Sequence, residues 1–150
     1  MPSACPHLLV INDTPAILEV FQQLFEDEGY RVTLDTFSSF DTAAKLEQVK
    51  TLCPDVVVLD FIIGGEPLGW QLLQLLRMDR ETQRLPIVVC TAAVTQVEEL
   101  GAHLLTKNVQ VVLKPFDIDD VVSAVARALE MGARPAATLA DLRADEDASR

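Results

Sequence analysis

The feature that most constrains the fold is an apolar run between two aspartates, at residues 55–60. Three consecutive valines and a leucine predict a short strand that is buried on both faces, at the centre of a parallel sheet. The run ends on Asp60, and a loop containing Gly64, Gly65 and Pro67 follows it. A carboxylate at the carboxyl end of a central parallel strand lies where open α/β sheets bind their ligands. Taken alone, Asp60 is more simply explained as a cap of the next loop, so the other strand ends decide its interpretation.

Strand and helix patterns alternate over most of the chain. Apolar runs predict four further strands, at residues 7–12, 31–37, 87–90 and 109–113. Apolar residues at helical spacing predict five helices, ending near Gly29, Leu52, Met78, Lys107 and Met131. The third of these is expected at residues 68–78 and the fourth at 94–107. Five strand–helix repeats predict an α/β fold, a doubly wound five-stranded parallel sheet with right-handed crossovers and helices on both faces.

Particular residues predict where helices start and which sides face the core. Thr14 is the candidate N-cap of the first helix, and Ser38 or Ser39 that of the second. Asp117 or Asp119 is expected to open the last helix. The residues expected to face inward are Ala43, Ala44, Leu46 and Val49 in the second helix, and Ile118, Val121, Val122, Val125 and Leu129 in the last.

The composition limits the classes of function. With 12 basic and 23 acidic residues, the formal charge is -11, which speaks against binding to nucleic acid or to anionic membranes. The chain contains no run of 18 apolar residues, so no membrane span is expected, and the apolar run at 8–11 is too short for a signal peptide. Cys53 and Cys90 lie in apolar segments and are expected to be buried thiols of a reducing compartment. We therefore expect a cytoplasmic protein with one domain, at residues 1–131, and a flexible or partner-dependent tail at 132–150.

Polar residues follow four of the predicted strands. Asn12 and Asp13 end the first, Asp60 the third, Thr91 the fourth and Lys114 the fifth. In a doubly wound sheet these ends converge on one crevice. Two carboxylates a few ångströms apart repel each other and need a cation, and hard oxygen ligands suit Mg²⁺. A lysine and a hydroxyl group beside them would bind the remaining oxygens of a phosphoryl group.

With these residues in place, the chain resembles the receiver domain of two-component response regulators, the CheY-like family, over roughly residues 7–131. The matching segments are residues 8–13, 55–60, 86–92 and 114–116. The resemblance implies the strand order 2-1-3-4-5 and a phosphoryl group accepted by Asp60 from a phosphohistidine. It implies that Mg²⁺ is held by Asp13, Asp60 and the backbone carbonyl of Ile62. It further implies that the Thr91 hydroxyl and the Lys114 ammonium contact the phosphoryl oxygens.

The resemblance also implies partners. A histidine kinase or a histidine phosphotransfer domain would dock near the crevice, beside the first helix. The fourth helix, the fifth strand and the last helix form the family's usual output and dimer face, so an output protein or a second copy would bind there. No nucleic-acid or membrane partner is expected, and neither is turnover on an external substrate.

Several positions depart from the family pattern, including the loop after Asp60, where Gly64 replaces a proline and Gly69 falls one residue late. Asn12 replaces an acid, which weakens the attraction for Mg²⁺ and leaves a contact through a metal-bound water. Val111 replaces the aromatic switch residue three positions before the lysine, so the usual coupling of the threonine to that aromatic ring cannot operate in its common form. Ile62 and Ala93 are apolar where polar groups often orient the hydrolytic water, so we expect a long-lived aspartyl phosphate.

Three functions follow from these observations. The first is a single-domain response regulator that is phosphorylated on Asp60 and signals through a changed protein-binding surface. The second is a degenerate receiver that acts as a phosphorylation-independent interaction module, as Asn12, Val111 and the altered loop after Asp60 suggest. The third is a phosphatase with an aspartyl nucleophile, which is disfavoured because Ile62 occupies the position where such enzymes carry a second aspartate.

Overall fold

The computed structural model describes residues 5–36, 41–60, 62–63, 65–91, 109–113 and 117–133. Within these ranges, five strands form one parallel sheet in the order β2-β1-β3-β4-β5, as expected. The strands are β1 (His7–Ile11), β2 (Arg31–Asp35), β3 (Val56–Leu59), β4 (Ile87–Thr91) and β5 (Val109–Leu113). The order of strands reverses between β1 and β3, which makes the carboxyl ends of these two strands the switch point of the sheet.

Four helices lie in the described ranges. They are α1 (Pro15–Asp27), α2 (Thr42–Leu52), α3 (Leu68–Met78) and α4 (Ile118–Ala133). The bounds of α3 match the prediction, whereas α4 extends two residues beyond Met131. The helix predicted at 94–107 lies outside the described residues. None of the described helices is long and apolar enough to cross a bilayer.

The start of α1 is as predicted, and the start of α2 is not. Thr14 is the N-cap of α1, with proline at the first helical position. For α2 the prediction of Ser38 or Ser39 is wrong, because Asp41 is the N-cap and its carboxylate accepts a hydrogen bond from the Ala44 amide at 3.0 Å. A carboxylate cap satisfies an amide that has no partner within the helix, so the helix begins at Thr42 rather than at the serines.

The central strands are buried on both faces, which confirms the interpretation of the run at 55–60. On one face, alternate residues of β1, β3 and β4 pack against α1 and α4. This cluster includes Leu8, Val10, Val56, Val58, Val88, Leu18, Phe21, Phe25, Val121 and Val125. On the other face, the intervening residues pack against α2 and α3, and this cluster includes Leu9, Ile11, Val57, Leu59, Ile87, Val89, Val49, Leu72 and Leu76. Burial on both faces holds the strand ends in fixed register.

Several inward and buried positions were predicted wrongly. Ala43 and Ala44 are exposed, and Lys45 is the buried residue in that turn of α2. Ile118 is 53% exposed because α4 begins there, before its apolar side reaches the sheet. Cys53 is exposed because it is the C-cap of α2, in the left-handed region at φ 50°, whereas Cys90 is buried as expected. These errors fall at helix ends and on α2, where the apolar pattern is weakest.

Candidate functional site

Strands β1 and β3 bring Asn12 and Asp60 close together at the carboxyl ends of the central strands. Ile11 pairs with Leu59 in the parallel register, and the next residue on each strand is Asn12 or Asp60. The Asp60 amide donates a hydrogen bond to the Ile11 carbonyl at 3.3 Å, and the Asn12 amide donates to the Asp35 carbonyl at 3.1 Å. The backbone of both residues is therefore held by the neighbouring strand, at the switch point.

The Asp60 carboxylate is nearly buried and lies among hydrogen-bond donors. Asp60 is 7% exposed. Its Oδ2 lies 3.5 Å from the side-chain Nδ2 of Asn12, and its Oδ1 accepts from the Ile62 amide at 3.3 Å. Donors near a buried carboxylate compensate for its lost hydration. Both contacts are long for hydrogen bonds of this kind, so they orient the carboxylate more than they bind it tightly.

Asn12 is held by the start of α1. The residue is 3% exposed, and its Oδ1 accepts a hydrogen bond from the Thr14 amide at 2.9 Å. This is the turn in which an asparagine side chain bonds to the backbone two residues further on. Thr14 is also the N-cap of α1, so the asparagine links the end of β1 to the beginning of the helix.

Asp13 follows Asn12 and is exposed at the same edge of the sheet. Its Oδ1 accepts a hydrogen bond from the Thr14 hydroxyl at 3.4 Å. Among the described residues, no group of three or more histidine, cysteine, aspartate or glutamate side chains is placed to hold a metal ion. The metal site therefore stays a prediction, with the carboxylates of Asp13 and Asp60 and the backbone carbonyl of Ile62 as its expected ligands. Such a set of oxygen donors matches the preference of Mg²⁺, which retains several water ligands.

The other two predicted site residues lie on β4 and after β5. Thr91 ends β4, where its backbone pairs with Leu113. Val89, two residues earlier, pairs with Leu59, so Thr91 extends one position beyond the level of Asp60. Lys114 follows Leu113 in the chain but lies outside the described residues. The structure thus brings together Asn12, Asp60 and Ile62, with Asp13 adjoining, and leaves the side-chain roles of Thr91 and Lys114 as predictions.

The loop after Asp60 is fixed by a tight turn. Ile63 and Glu66 exchange two backbone hydrogen bonds, at 2.9 and 3.1 Å, and Gly65 has a positive φ of 78° that side-chain-bearing residues rarely adopt. Ile63 is fully buried in the core cluster under α3. Ile62, between this anchor and Asp60, is 37% exposed. Ile63 therefore anchors the loop in the core, and Ile62 stays partly exposed next to Asp60.

An ion pair that the sequence did not predict lies beside the site. Lys45 of α2 is 6% exposed, and its ammonium pairs with the Asp35 carboxylate at the end of β2. It also donates to the Gln48 side chain at 2.8 Å. The backbone carbonyl of Asp35 accepts the hydrogen bond from the Asn12 amide. The ion pair with Lys45 therefore fixes a residue that contacts the site. The only signal in the sequence is that Lys45 lies four residues before Val49, and thus on the same side of the helix.

Comparisons with known proteins agree with this fold. The family model of the response regulator receiver domain matches residues 8–126. The chain is 32% identical over 130 residues to the phosphate regulon transcriptional regulatory protein PhoB of Rhizobium meliloti, covering 87% of this chain and 54% of that protein. It is 30% identical over 127 residues to sporulation initiation phosphotransferase F of Bacillus subtilis, covering 83% of this chain and 94% of that protein. The chain spans about half the length, or less, of most of the curated relatives it matches.

Solved structures show the same architecture. A sensor protein from Polaromonas sp. JS666 superposes with a TM-score of 0.70 at 26% identity, over 85% of this chain and 98% of that one. The receiver domain of a Pseudomonas aeruginosa sensor histidine kinase superposes with a TM-score of 0.67 at 21% identity, over 85% and 99%. That structure has a magnesium ion coordinated in its active site cleft. Together with the sheet order and the match over residues 8–126, these similarities show that the chain belongs to the response regulator receiver domain family of two-component signalling.

Proposed function

We propose that this protein accepts a phosphoryl group from a phosphohistidine onto Asp60, with Mg²⁺, and signals through a changed protein-binding surface. The observation that carries the proposal is the burial of the Asp60 carboxylate and its contacts with N–H donors. It is nearly buried at the switch point of the sheet, and its two oxygens lie within reach of two N–H donors, from Asn12 and Ile62. A carboxylate held in this way is oriented before a phosphodonor arrives.

The transfer requires little covalent chemistry from the protein. One oxygen of Asp60 attacks the phosphorus, and the new O–P bond forms as the P–N bond of the phosphohistidine breaks. The electron pair of that P–N bond returns to the imidazole nitrogen of the donor. Positioning and charge stabilisation carry such transfers. The Ile62 amide and the Asn12 amide group restrict the rotation of the carboxylate, which supports attack along one direction.

The metal is proposed at the oxygen donors described above. Asp13, Asp60 and the backbone carbonyl of Ile62 would hold Mg²⁺, with Asn12 contributing through a water at most. A bound cation there would neutralise charge on the phosphoryl oxygens. Asp60 directly follows β3, and Asp13 lies two residues after the end of β1, the strand that pairs with β3. A receiver domain of the same fold carries magnesium in its cleft. Both observations support this assignment.

The remaining roles are proposed from the family. The Thr91 hydroxyl and the Lys114 ammonium would bind the other phosphoryl oxygens. The donor would be a histidine kinase or a histidine phosphotransfer domain. The output protein, or a second copy of the chain, would bind the face that the family builds from its fourth helix, predicted here at 94–107, together with β5 and α4. Turnover on an external substrate is not part of the proposal.

A second candidate function is a degenerate receiver that binds partners without phosphorylation. Val111 favours it, because this half-buried residue of β5 packs against the core cluster under α2 and α3, at the position of the family's aromatic switch. A valine has no ring with which to change orientation. Under this alternative, binding to the partner would be the same for wild type and for a variant that cannot be phosphorylated.

Incubation with a small phosphodonor and Mg²⁺, followed by intact-mass measurement, separates these functions. We expect the wild type to gain the mass of one phosphoryl group, and the Asp60→Asn variant to gain none, because an amide is not a nucleophile for this transfer. Glu66→Gln, which alters an exposed acid in the same loop, serves as the control and should be phosphorylated like the wild type. A wild type that stays unmodified, with a competent histidine kinase also tried, would support the degenerate receiver.

A further inference from the structure

We propose that Asn12 is a positioning residue of the acceptor site, whose amide N–H orients the Asp60 carboxylate without a metal ion. This inference rests on the proposed function of Asp60 and deepens it. It gives Asn12 a role different from that of the acid which the family usually has at this position. The acceptor site of this protein would then be formed, and its fold stable, before Mg²⁺ binds.

The orientation of the Asn12 side chain follows from its contacts. An asparagine amide has one acceptor atom and one donor atom, and these are distinguished by what surrounds them. The Thr14 backbone amide, 2.9 Å away, can only donate, so the atom facing it must be the oxygen. The NH₂ group then faces Oδ2 of Asp60, at 3.5 Å. Both ends of the buried side chain are therefore complementary to their neighbours.

An aspartate at position 12 would keep one of these contacts and reverse the other. Its first oxygen would still accept from the Thr14 amide. Its second oxygen would take the place of the NH₂ group, about 3.5 Å from a carboxylate that is 7% exposed. Like charges at such a distance in a poorly solvated site repel strongly, and a cation is then needed between them. The change from asparagine to aspartate thus alters a single atom of the contact.

The side-chain atom of residue 12 that faces Asp60 determines how strongly the stability of the fold depends on Mg²⁺. With the amide, the carboxylate of Asp60 has a donor, and the backbone of both residues is held by neighbouring strands. With a second acid, the same backbone would hold two like charges together, and the fold would be stabilised by Mg²⁺. The amide of Asn12 therefore lowers the affinity for Mg²⁺. It also reduces the loss of fold stability when Mg²⁺ is absent.

A double-mutant cycle in EDTA tests the inference without any phosphodonor. The four proteins are the wild type, Asn12→Asp, Asp60→Asn and the variant carrying both changes. We expect Asn12→Asp to unfold at a lower temperature than the wild type. In the Asp60→Asn background the same change should cost little, because an amide at position 60 can donate to the new carboxylate. Gln71→Glu on the exposed side of α3 adds the same charge away from the site and should leave the melting temperature nearly unchanged.

Addition of Mg²⁺ gives the second measurement. We expect a larger rise in melting temperature for Asn12→Asp than for the wild type, and tighter binding of Mg²⁺ by calorimetry, by about fivefold or more. The inference is wrong if Asn12→Asp is as stable as the wild type in EDTA, or if its loss is the same in the Asp60→Asn background. It is also wrong if Mg²⁺ raises both melting temperatures equally. Because no phosphoryl transfer enters the cycle, failure of phosphorylation at Asp60 is recognised separately.

Discussion

Ile62 lies two residues after the acceptor carboxylate, and its backbone and side chain act on the site in different ways. Its amide donates to Asp60, whereas its apolar side chain is partly exposed at the mouth of the site. Ile63 anchors the same loop in the core, so Ile62 is kept where it is. An apolar group at this place offers no hydrogen bond to a water that would attack an aspartyl phosphate.

Slow hydrolysis of the aspartyl phosphate is therefore expected. Replacing Ile62 by asparagine should speed the decay roughly tenfold, a small part of what positioned polar groups contribute to proton transfer. Decay is measured by following the intact mass of the phosphoprotein over time in Mg²⁺. Ile62→Val, which stays apolar, should decay like the wild type. Equal and fast decay of all three proteins would contradict this assignment.

At the scale of residues, the sequence predicted the neighbourhood of the site better than its contacts. Asn12 and Asp60 were expected together because each follows a buried strand, and parallel strands end at one edge. The sequence did not predict that Asn12 turns its NH₂ group to Asp60, because this depends on the backbone amide of Thr14. A contact between a side chain and the backbone two residues further on leaves no periodic pattern.

The helix α2 docks on the sheet through a polar contact as well as an apolar one. Only Lys45 and Val49 are buried in it, and the lysine pairs with Asp35 at the end of the edge strand β2. Both side chains are nearly inaccessible, so removing one would leave the other charged and poorly solvated. The pair therefore contributes to docking α2 only while both members are present.

We expect Lys45→Met to lower the free energy of unfolding by about 3–5 kcal/mol, since a buried charge loses its partner. The combined change Asp35→Asn and Lys45→Met should cost clearly less than the sum of the two single changes. Urea unfolding followed by circular dichroism measures both.

Lys50→Met on the same helix is the matched control. Lys50 pairs with the more exposed Glu47, Asp79 and Glu81, so its replacement should cost clearly less stability than that of Lys45. If Lys45→Met cost no more than Lys50→Met, the buried pair would not hold α2 as described.

Element bounds were predictable where apolar residues repeat clearly. Leucines at helical spacing fixed α3, and an apolar run between polar residues fixed β5. The start of α2 was predicted wrongly because serines and an aspartate compete as caps, and only the observed bond from Ala44 to Asp41 decides between them. Its predicted inward side was partly right, because Val49 is buried and Leu46 packs against the core. Ala43 and Ala44 are exposed, because alanines are weak indicators of burial.

At the scale of the whole molecule, one sheet holds the site together. Pairing of β1 with β3 sets the level of Asp60, and both core clusters bury these strands. The alternation of strands and helices predicted a parallel sheet, whereas the order of the strands came from the family resemblance. Local patterns determine which segments are strands, but which strands become neighbours depends on contacts far apart in the chain.

The domain is expected to end with α4. A chain that stops at Ala133 should unfold within about 1 kcal/mol of the full chain, if the remaining residues form a separate tail. A chain that stops at Ala124 loses the fully buried Val125 and Ala128 and should not fold stably. Urea unfolding compares the three chains. If ending the chain at Ala133 lowered the free energy of unfolding by several kcal/mol, the residues after Ala133 would be part of the domain.

The most direct test of the central claim is to locate the phosphoryl group. Borohydride reduces an aspartyl phosphate to homoserine, which fragmentation of the peptide by mass spectrometry assigns to one residue. After incubation with a phosphodonor and Mg²⁺, we predict homoserine at position 60 and an unchanged Asp13. Homoserine at Asp13 or elsewhere, with position 60 intact, would contradict the assignment of Asp60 as the phosphoryl acceptor.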